Sequence, residues 1–431
     1  MLVSELSASL TIPPEFSKLN ALDEDDTALE LQRWKQGVAA KLDELRKMIQ
    51  DASELSMDDR ADAISSTVAF SFEKKPWVTS HAHDIAVAIL GRFEPDVQLL
   101  RHILLRNVKP VFSHNLHPHI NPESGRKLSR PAGGQMATSD YYEDQTWKQN
   151  LAAGYIVEYV VQHLKAEDYE TIWPLLIPPL MTILDDYQVP YKLHSVIILR
   201  QMLQNLSASL LRRTGLDVLL TQSLTTCLGQ LDSPESPTLV KEVVLVWLQL
   251  TLMTTDEGSI QRFDSLCALL GDRIIGSVWF YGSQYPDVIL ATLDILPDII
   301  RALGIGSARF LKALMHQLLH PLLTKDAPSL RLAQLQARSL NVVIVVIQEC
   351  APRMASWKIK ILDAVCRCWV SIKEVDSIGL YEDSPEREEV KTRLRGVCKE
   401  LARTCPTLLE NEYKKILTLD EQMFGELLAG L

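Results

Sequence analysis

The chain has 431 residues, a net charge of −11 at pH 7, 18 glycines and 47% hydrophobic residues. The acidic balance argues against a general nucleic-acid binder, which needs a surplus of Lys and Arg on a broad face, and it does not suit an anionic membrane. The low glycine content disfavours phosphate-binding loops and many tight β-turns. Leu-rich helices are expected, arranged as one extended array rather than as two or three globular domains.

The cysteines and the N-terminus indicate the compartment. The chain has seven cysteines, an odd number in mostly apolar context, which predicts buried thiols in a reducing compartment. Cys366 and Cys368 are two residues apart and point to different sides of a helix, so a zinc pair is disfavoured. Met1–Leu10 contains Glu5 and lacks the pattern of a signal peptide. The apolar runs Val243–Leu248 and Val342–Ile347 are shorter than the roughly 18 residues of a membrane span. We expect a cytoplasmic and nuclear protein.

The first 62 residues form an acidic front end, with fourteen Asp or Glu against seven Lys or Arg. Within it, Ala28–Met57 carries apolar residues at steps of three and four, which predicts an amphipathic helix with an acidic start at Asp23–Asp26. The apolar series is Leu31, Trp34, Val38, Leu42, Leu45 and Ile49. Two interpretations stay open: a solvated helix packed on the end of the array, or an arm that docks a partner.

The next part of the chain is predicted to hold two helical layers and then a long loop. A helical stretch from Asp58 to about Leu90 is interrupted at Lys75–Trp77, and a second one, Pro95–Val108, is expected to end at Pro110. Val111–Trp147 contains too many prolines and glycines for regular structure. Loops of this length are usually functional or disordered. Residues 101–131 hold six Lys or Arg against one Glu, so a basic strip lies inside an acidic protein.

One helical hairpin, Trp173–Leu203, supplies the repeating unit. Its first helix runs to Leu184, and Asp185 and Asp186 close it. Its second helix begins at Pro190, which is tolerated there because the first helical amides have no intrahelical partner. Such a hairpin is apolar on more than one face, so it needs similar neighbours.

Similar hairpins follow at regular spacing. First helices are predicted near Trp173, Thr214, Ser259, Ser307 and Ala355, at intervals of 41, 45, 48 and 48 residues. Second helices are predicted to begin near Pro190, Pro237, Pro286, Pro328 and Pro385, so every hairpin has a proline at its corner. Two-helix units of this length indicate an all-α fold, an α-solenoid of degenerate HEAT/armadillo-like hairpins with one long irregular loop.

The end of the chain completes this array. The β-branched run Val342–Ile347 favours a strand by propensity alone, but its helical flank Leu330–Ser339 predicts a buried helix covered by repeats on both sides. Pro406–Leu431 is predicted to be a terminal cap with a polar outer face. We therefore divide the chain into an acidic helical region (1–94), a helix with the basic loop (95–147) and the repeat array with its cap (148–431).

The sequence shows no pattern of catalytic residues. Gly304–Gly306 lacks the lysine and later glycine of a phosphate loop, and no metal-binding helix, nucleophile elbow or kinase signature is present. His114, His117 and His119 suit zinc or copper by residue type, but exposed polar loop residues are the simpler interpretation. Trp147, at the exit of the loop, either anchors the loop or protrudes to a partner. No cofactor or metal is predicted.

Several strings resemble a known family in the same order along the chain. They are VKPVF (108–112), SGRK (124–127), EDQTWK (143–148), WPLLIPP (173–179) and LDD (184–186). In these strings the chain resembles the family of the second Tel-two-interacting protein, the smallest subunit of the TTT co-chaperone complex. The strings lie within about Pro95–Leu203, and the remaining half agrees only as a pattern of helical repeats. Its brevity resembles fungal members more than animal ones.

The resemblance implies a non-enzymatic scaffold. It would bind the larger Tel-two-interacting subunit directly and the Tel-two protein through it, and with the Hsp-ninety machinery it would assist the maturation and stability of PI-three-kinase-related kinases. These kinases act in DNA-damage checkpoints, telomere maintenance and nutrient (TOR) signalling, and in fungi the same subunits are associated with the ASTRA assembly.

Charge contrast and position select the candidate partner contacts within this chain. They are the helices from about Ala355 onward and five residues of the loop: Arg126, Lys127, Arg130, Trp147 and Lys148. The alternative function is an importin-like or other helical-repeat transport adaptor. An importin is expected to repeat Asn and Trp at matching positions of successive second helices, but Trp247 and Trp369 do not occupy the position of Asn341 in their repeats. An enzyme is a third and weaker option.

Overall fold

The structure is a computed structural model, and the described part of the chain is helical apart from one isolated bridge. It describes residues 3–17, 25–114, 116–132, 141, 145–324, 327, 329–378 and 384–430. Within these residues the only β-pairing is an antiparallel bridge between Ile120 and Lys127. The all-α prediction is confirmed. Contacts group the chain into two compact units, Met1–Ser223 and Leu224–Leu431, while the predicted division into three segments stays a prediction.

The N-terminal unit is built from helices that pack in two rows. They are α1 (Val3–Ser9), α2 (Asp25–Asp51), α3 (Met57–Thr67), α4 (Ser80–Leu90), α5 (Val97–Ile103), α6 (Lys109–Phe112), α7 (Ala153–His163), α8 (Tyr169–Leu184), α9 (Val189–Asn205) and α10 (Ala208–Thr214). Helices α1, α3 and α5 pack in sequence, and α2 packs against α4 beside them. Side chains of Ser56, Thr79 and Asp96 each accept the third amide of the helix that follows, α3, α4 and α5 respectively, as expected of N-cap residues.

The acidic front end contributes a packed helix. Leu31, Val38, Leu42, Leu45 and Ile49 of α2 are all buried, so the predicted apolar face is confirmed. This agrees with a helix packed on the end of the array, because the face that a docking arm would offer is already used. Asp23 and Glu24 lie outside the described residues.

The helix predicted to stop at Pro110 continues to Phe112. Between α5 and α6 the chain forms a π-helical turn, Leu104–Val108, and Pro110 occupies one of the first two positions of α6. A π turn shifts the backbone hydrogen bonds by one residue, and a proline at the start of a helical segment lacks only an amide that has no partner there. The predicted end at Pro110 was therefore wrong.

The C-terminal unit stacks hairpins whose second helices contact one another. Its helices are α11 (Leu216–Cys227, which contains the unit boundary), α12 (Ser236–Thr254), α13 (Ile260–Cys267), α14 (Pro286–Leu303), α15 (Leu311–Leu323), α16 (Leu330–Glu349), α17 (Lys358–Ile378), α18 (Pro385–Thr404), α19 (Lys414–Leu419) and α20 (Glu421–Phe424). A π-helical segment, Ala268–Trp279, extends α13. Helices α12, α14, α16 and α18 pack in that order, and α15 packs against α17.

The predicted repeat register agrees with these helices. First helices occur as α8, α11, α13, α15 and α17, and second helices begin at or next to Pro190, Pro237, Pro286 and Pro385. Pro328 lies outside the described residues, and the helix after it begins at Leu330 with Ser329 as its N-cap. The α-solenoid prediction is confirmed within each unit.

The β-branched run lies in a core helix, as predicted. Val342, Val343, Val345, Val346 and Ile347 of α16 are buried between α14 and α18. Among the described residues, α12 and α16 are long and apolar enough to cross a membrane by length and composition, although half of the residues in each apolar window are buried. The sequence analysis, which counted uninterrupted apolar runs, missed that property.

Candidate partner-binding surface

The corner between α8 and α9 holds the two ends of the long loop. Asp186, at this corner, is fully buried, and its Oδ2 lies 2.6 Å from the Lys148 Nζ at the loop exit. Its Oδ1 accepts a 2.8 Å hydrogen bond from the Gln188 amide at the start of α9. A buried carboxylate is tolerated only when it is paired and hydrogen-bonded. Asp186 is therefore a structural anchor as well as the end of a helix.

The Lys148 ammonium is enclosed by aromatic rings. It lies 4.0 Å from the ring centroid of Tyr187, 5.5 Å from that of Tyr191 and 5.6 Å from that of Trp147. Burial, together with the Asp186 charge, raises the pKa of Tyr191 to about 12, so this ring stays neutral at pH 7. Cation–π attraction adds to the ion pair. The Lys148 ammonium therefore has its ionic and aromatic partners within its own chain.

Trp147 anchors the loop. Its side chain is 3% exposed, its ring stacks on Phe112 at a centroid distance of 5.6 Å, and it meets Tyr191 edge-on at 5.0 Å. Of the two interpretations of this tryptophan, the anchor is confirmed. Both side chains pack against their own chain, and a direct contact of Trp147 and Lys148 with a partner stays a prediction.

His117, at the other end of the loop, is buried rather than exposed. Its Nε2 lies 2.9 Å from the Asp185 Oδ2, and its Nδ1 accepts the His119 amide at 3.2 Å. These contacts place the proton on Nε2. The interpretation of His117 as an exposed loop residue was wrong, although His114 is exposed. Burial, and then the neighbouring His117, lower the pKa of His119. No cluster of metal ligands occurs among the residues that the structure describes.

Between these ends, residues 121–127 form a tight turn that docks on α8. The Asn121 side chain accepts the amides of Glu123 and Ser124, and Gly125 has φ = +62°, a combination typical of Asn and Gly in turns. The Trp173 indole donates to the Gly125 carbonyl at 3.1 Å. A Cβ at Gly125 would lie 2.7 Å from the same indole. Trp173 therefore fixes the position of the turn.

The turn presents its basic side chains to solvent. Arg126 and Arg130 are exposed and Lys127 is half-buried, with the Lys127 amide bound to the Thr214 carbonyl at 2.9 Å. A shallow cavity of about 300 Å³ separates Arg126 from Arg213 of α10, and Arg213 pairs with Glu170 at 2.7 Å. We call Arg126, Lys127, Arg130 and Arg213 the basic turn surface. Arg126, Lys127 and Arg130 are among the predicted loop contacts, and Arg213 is added to them by its position beside the turn.

The fold and this surface define a helical-repeat protein that offers charged side chains on a rigid support. A sequence model of the Tti2 family matches residues 63–327, and the chain belongs to that family. The matched residues include the loop, the α8–α9 corner, the next two hairpins and α15, the first helix of the hairpin after them. The resemblance inferred from short strings is thus confirmed at the level of the family, and the fungal character stays a prediction. The family is of the scaffold type, and membership supports a role as a subunit of the TTT complex and interaction with its other subunits.

The other comparisons give little more. No curated protein is significantly similar in sequence. A solved structure titled "Crystal structure of Kap121p" is similar with 13% identity and a TM-score of 0.42, over 91% of this chain and 38% of that chain. The chain thus spans well under half of that protein, and the similarity carries no argument about function. Family membership favours the scaffold over the transport-adaptor alternative.

Proposed function

We propose that the chain is a non-enzymatic scaffold subunit of the TTT complex that binds the larger Tel-two-interacting subunit directly and the Tel-two protein through it. With the Hsp-ninety machinery, this assembly would assist the maturation and stability of PI-three-kinase-related kinases. The cytoplasm and the nucleus are the proposed locations. The family match over residues 63–327 is the observation that carries this proposal.

The basic turn surface supports a direct contact in the N-terminal unit. Its exposed cations stand out from a chain of net charge −11, and complementary charges at the edge of an interface raise the association rate and select the partner. The turn is held by Trp173 and Thr214, so little ordering entropy is lost on binding. We propose that Arg126, Lys127 and Arg130 contact an acidic patch of the larger subunit.

Charge reversal tests this contact. For the triple variant Arg126→Glu, Lys127→Glu and Arg130→Glu, we expect about tenfold weaker binding of the purified larger subunit at physiological salt, or roughly 1.4 kcal/mol. The matched control reverses three exposed cations elsewhere in the same unit, Lys74, Arg92 and Lys165. Equal binding by both variants would exclude the turn from the interface, and failure of the wild-type chain to bind would refute the proposed function.

Deletion is a poor test of the predicted C-terminal contacts. A chain ending at Arg353 would lose α17 and α18, whose residues Val390, Leu394 and Val397 are buried in the contact with α16 and its neighbours. Its core would be exposed to water. Point substitutions on the exposed faces are therefore preferable for the helices from about Ala355 onward.

A further inference from the structure

The C-terminal unit contains an open groove beside α15, with a volume of about 1040 Å³. Its walls come from the π-helical end of α13, from α15 and from the start of α17. The side chains that define it here are Phe280, Arg309, Lys312, His316, Trp357 and Lys360. We call this the α15 groove.

The α15 groove is basic in an acidic protein. Arg309, Lys312 and Lys360 are exposed, and among the described residues none of them lies within 4.0 Å of a carboxylate oxygen. The carboxylate in the lining, Asp363, is paired with Arg367 at 2.9 Å. The positive charge of the groove is therefore not neutralised by the described part of the chain.

Two of these cations are held against aromatic rings. The Lys360 ammonium lies 5.0 Å from the centroid of the Trp357 ring, and the Arg309 guanidinium lies 5.3 Å from that of Phe310. Cation–π contacts restrict the conformations of long side chains but do not neutralise their positive charge. An incoming carboxylate thus meets cations that are already positioned.

The groove also exposes apolar surface at its borders. Phe280 is 71% exposed, and its ring meets that of Tyr281, itself 64% exposed, at a centroid distance of 4.9 Å. Leu323 at the end of α15 is 44% exposed. An exposed large hydrophobic surface rimmed by polar groups marks an interaction site. Along α15, Lys312, His316, His320 and Leu323 line the groove at steps of four, four and three residues.

We propose that the α15 groove binds an acidic amphipathic helix of the larger Tel-two-interacting subunit, with carboxylates on Arg309, Lys312 and Lys360 and an apolar side chain against Phe280. The inference rests on the proposed function, since it names the segment that the partner supplies. Charge complementarity selects this occupant, because a basic or neutral helix would leave three cations unpaired. Grooves between helices accept amphipathic helices through apolar anchors spaced along one face.

Charge reversal in the groove is the first test. The variant Arg309→Glu, Lys312→Glu and Lys360→Glu is compared with a control of equal charge change in the same unit, Arg301→Glu, Arg331→Glu and Arg353→Glu, all at exposed positions that precede Ala355. We expect binding of the purified larger subunit to weaken at least tenfold for the groove variant and less than twofold for the control. Raising the salt concentration should weaken wild-type binding more than that of the groove variant.

The outcomes separate the two proposals. Equal binding by groove and control variants, with the wild type bound, would overturn the groove and leave the proposed function standing. No binding by the wild-type chain would refute the proposed function. Phe280→Ala is a second variant that keeps the charge, and because this ring is 71% exposed its removal leaves the core intact. We expect about tenfold weaker binding, and unchanged binding would overturn the apolar contact.

Photo-cross-linking identifies the occupant. The photoreactive residue p-benzoylphenylalanine replaces Phe280 and, as a control, Ile260, which is 76% exposed and lies outside the groove. We expect a cross-link from position 280 to a peptide of the larger subunit that has net negative charge and apolar residues at helical spacing. A cross-link to a basic peptide, or to a second copy of this chain, would overturn the proposal.

Discussion

Asp186 and Lys148 explain why a long loop is fixed at its exit. The carboxylate has no exposure and the Lys148 side chain is 17% exposed, so both charges are largely removed from water. Such a pair contributes less to stability than its attraction suggests, but removing one partner leaves an uncompensated buried charge. The Lys148–Asp186 pair therefore favours the one conformation of the loop exit in which Lys148 reaches Asp186.

Replacing Lys148 by Met should destabilise the protein strongly. Since Asp186 would stay buried without its cation, we expect a loss of about 3–5 kcal/mol, as for other broken buried pairs. The double variant Lys148→Met and Asp186→Asn should recover part of that loss. The measurement is urea unfolding of the full chain. Arg213→Met, which removes the exposed pair with Glu170, should cost about 0–1 kcal/mol. Equal losses for Lys148→Met and Arg213→Met would contradict the argument.

The partners of the corner aspartates could not be predicted from the sequence. Asp185 and Asp186 were correctly placed at the end of a helix from local pattern, but Asp185 meets a histidine 68 positions away in sequence. The same holds for Glu158 of α7, which accepts a 2.8 Å hydrogen bond from His194 of α9. Such pairs form only when helices that are far apart in sequence pack together. The periodicity of side chains along one helix therefore does not predict them. The anchoring role of Trp147 was predictable as one of two alternatives, but its burial was not.

At the scale of elements, the proline-cornered hairpins were predictable because each corner is a local property. A proline at a first helical position is compatible with helix there and interrupts a helix elsewhere. The π-helical segments were not predictable, since the cost of their wider hydrogen bonds is offset by packing. Within one of them, a Cβ at Gly271 would lie 2.5 Å from the Phe310 ring. Only a residue without a Cβ leaves room for the Phe310 ring at position 271. The need for glycine there can be recognised only once the packing of Phe310 against the π-helical segment is known.

Among the contacts of the terminal cap, those of Glu426 and of the Trp369 indole join it to the last hairpin. Glu426 accepts hydrogen bonds from Lys373 of α17 and Arg395 of α18, and the Trp369 indole donates to the Met423 carbonyl at 2.8 Å. The Lys373 hydrogen bond outweighs burial and, with the nearby positive charges, holds the pKa of Glu426 below its usual value. The cap is therefore joined to both helices of the last hairpin.

Acid should release this cap. A carboxylate with a lower pKa in the folded state stabilises that state above its unfolded pKa, about 4.3, and the contribution is lost as the pH falls through the folded pKa. We expect amide protection of residues 414–424 to decrease as the pH falls below about 4.3. Glu426→Gln should lower this protection at pH 7 and flatten its pH dependence, as measured by hydrogen exchange. Glu410→Gln, at an exposed position on the same segment, is the control. An unchanged pH profile in the Glu426 variant would contradict the proposal that the Glu426 carboxylate holds the cap on the last hairpin.

At the scale of the whole molecule, the two proposed contact regions lie on different compact units. The basic turn surface belongs to Met1–Ser223 and the α15 groove to Leu224–Leu431. The family match covers residues 63 to 327, which include the basic turn surface and Arg309 and Lys312 of the groove. It ends before Trp357 and Lys360 of the groove. A single partner that engages both units gains from linked binding, because the second contact forms at high effective concentration.

Combining the two charge reversals tests whether one partner occupies both surfaces. Distant sites with no shared neighbours usually contribute additively within about 0.3–0.5 kcal/mol. We therefore expect the six-residue variant to lose affinity for the larger subunit by the product of the two separate losses, within about twofold. Titration of the purified subunits at fixed salt measures all four affinities. A combined loss no greater than that of one triple variant would mean that the two surfaces do not contribute independently, and the two-unit attachment would then be wrong.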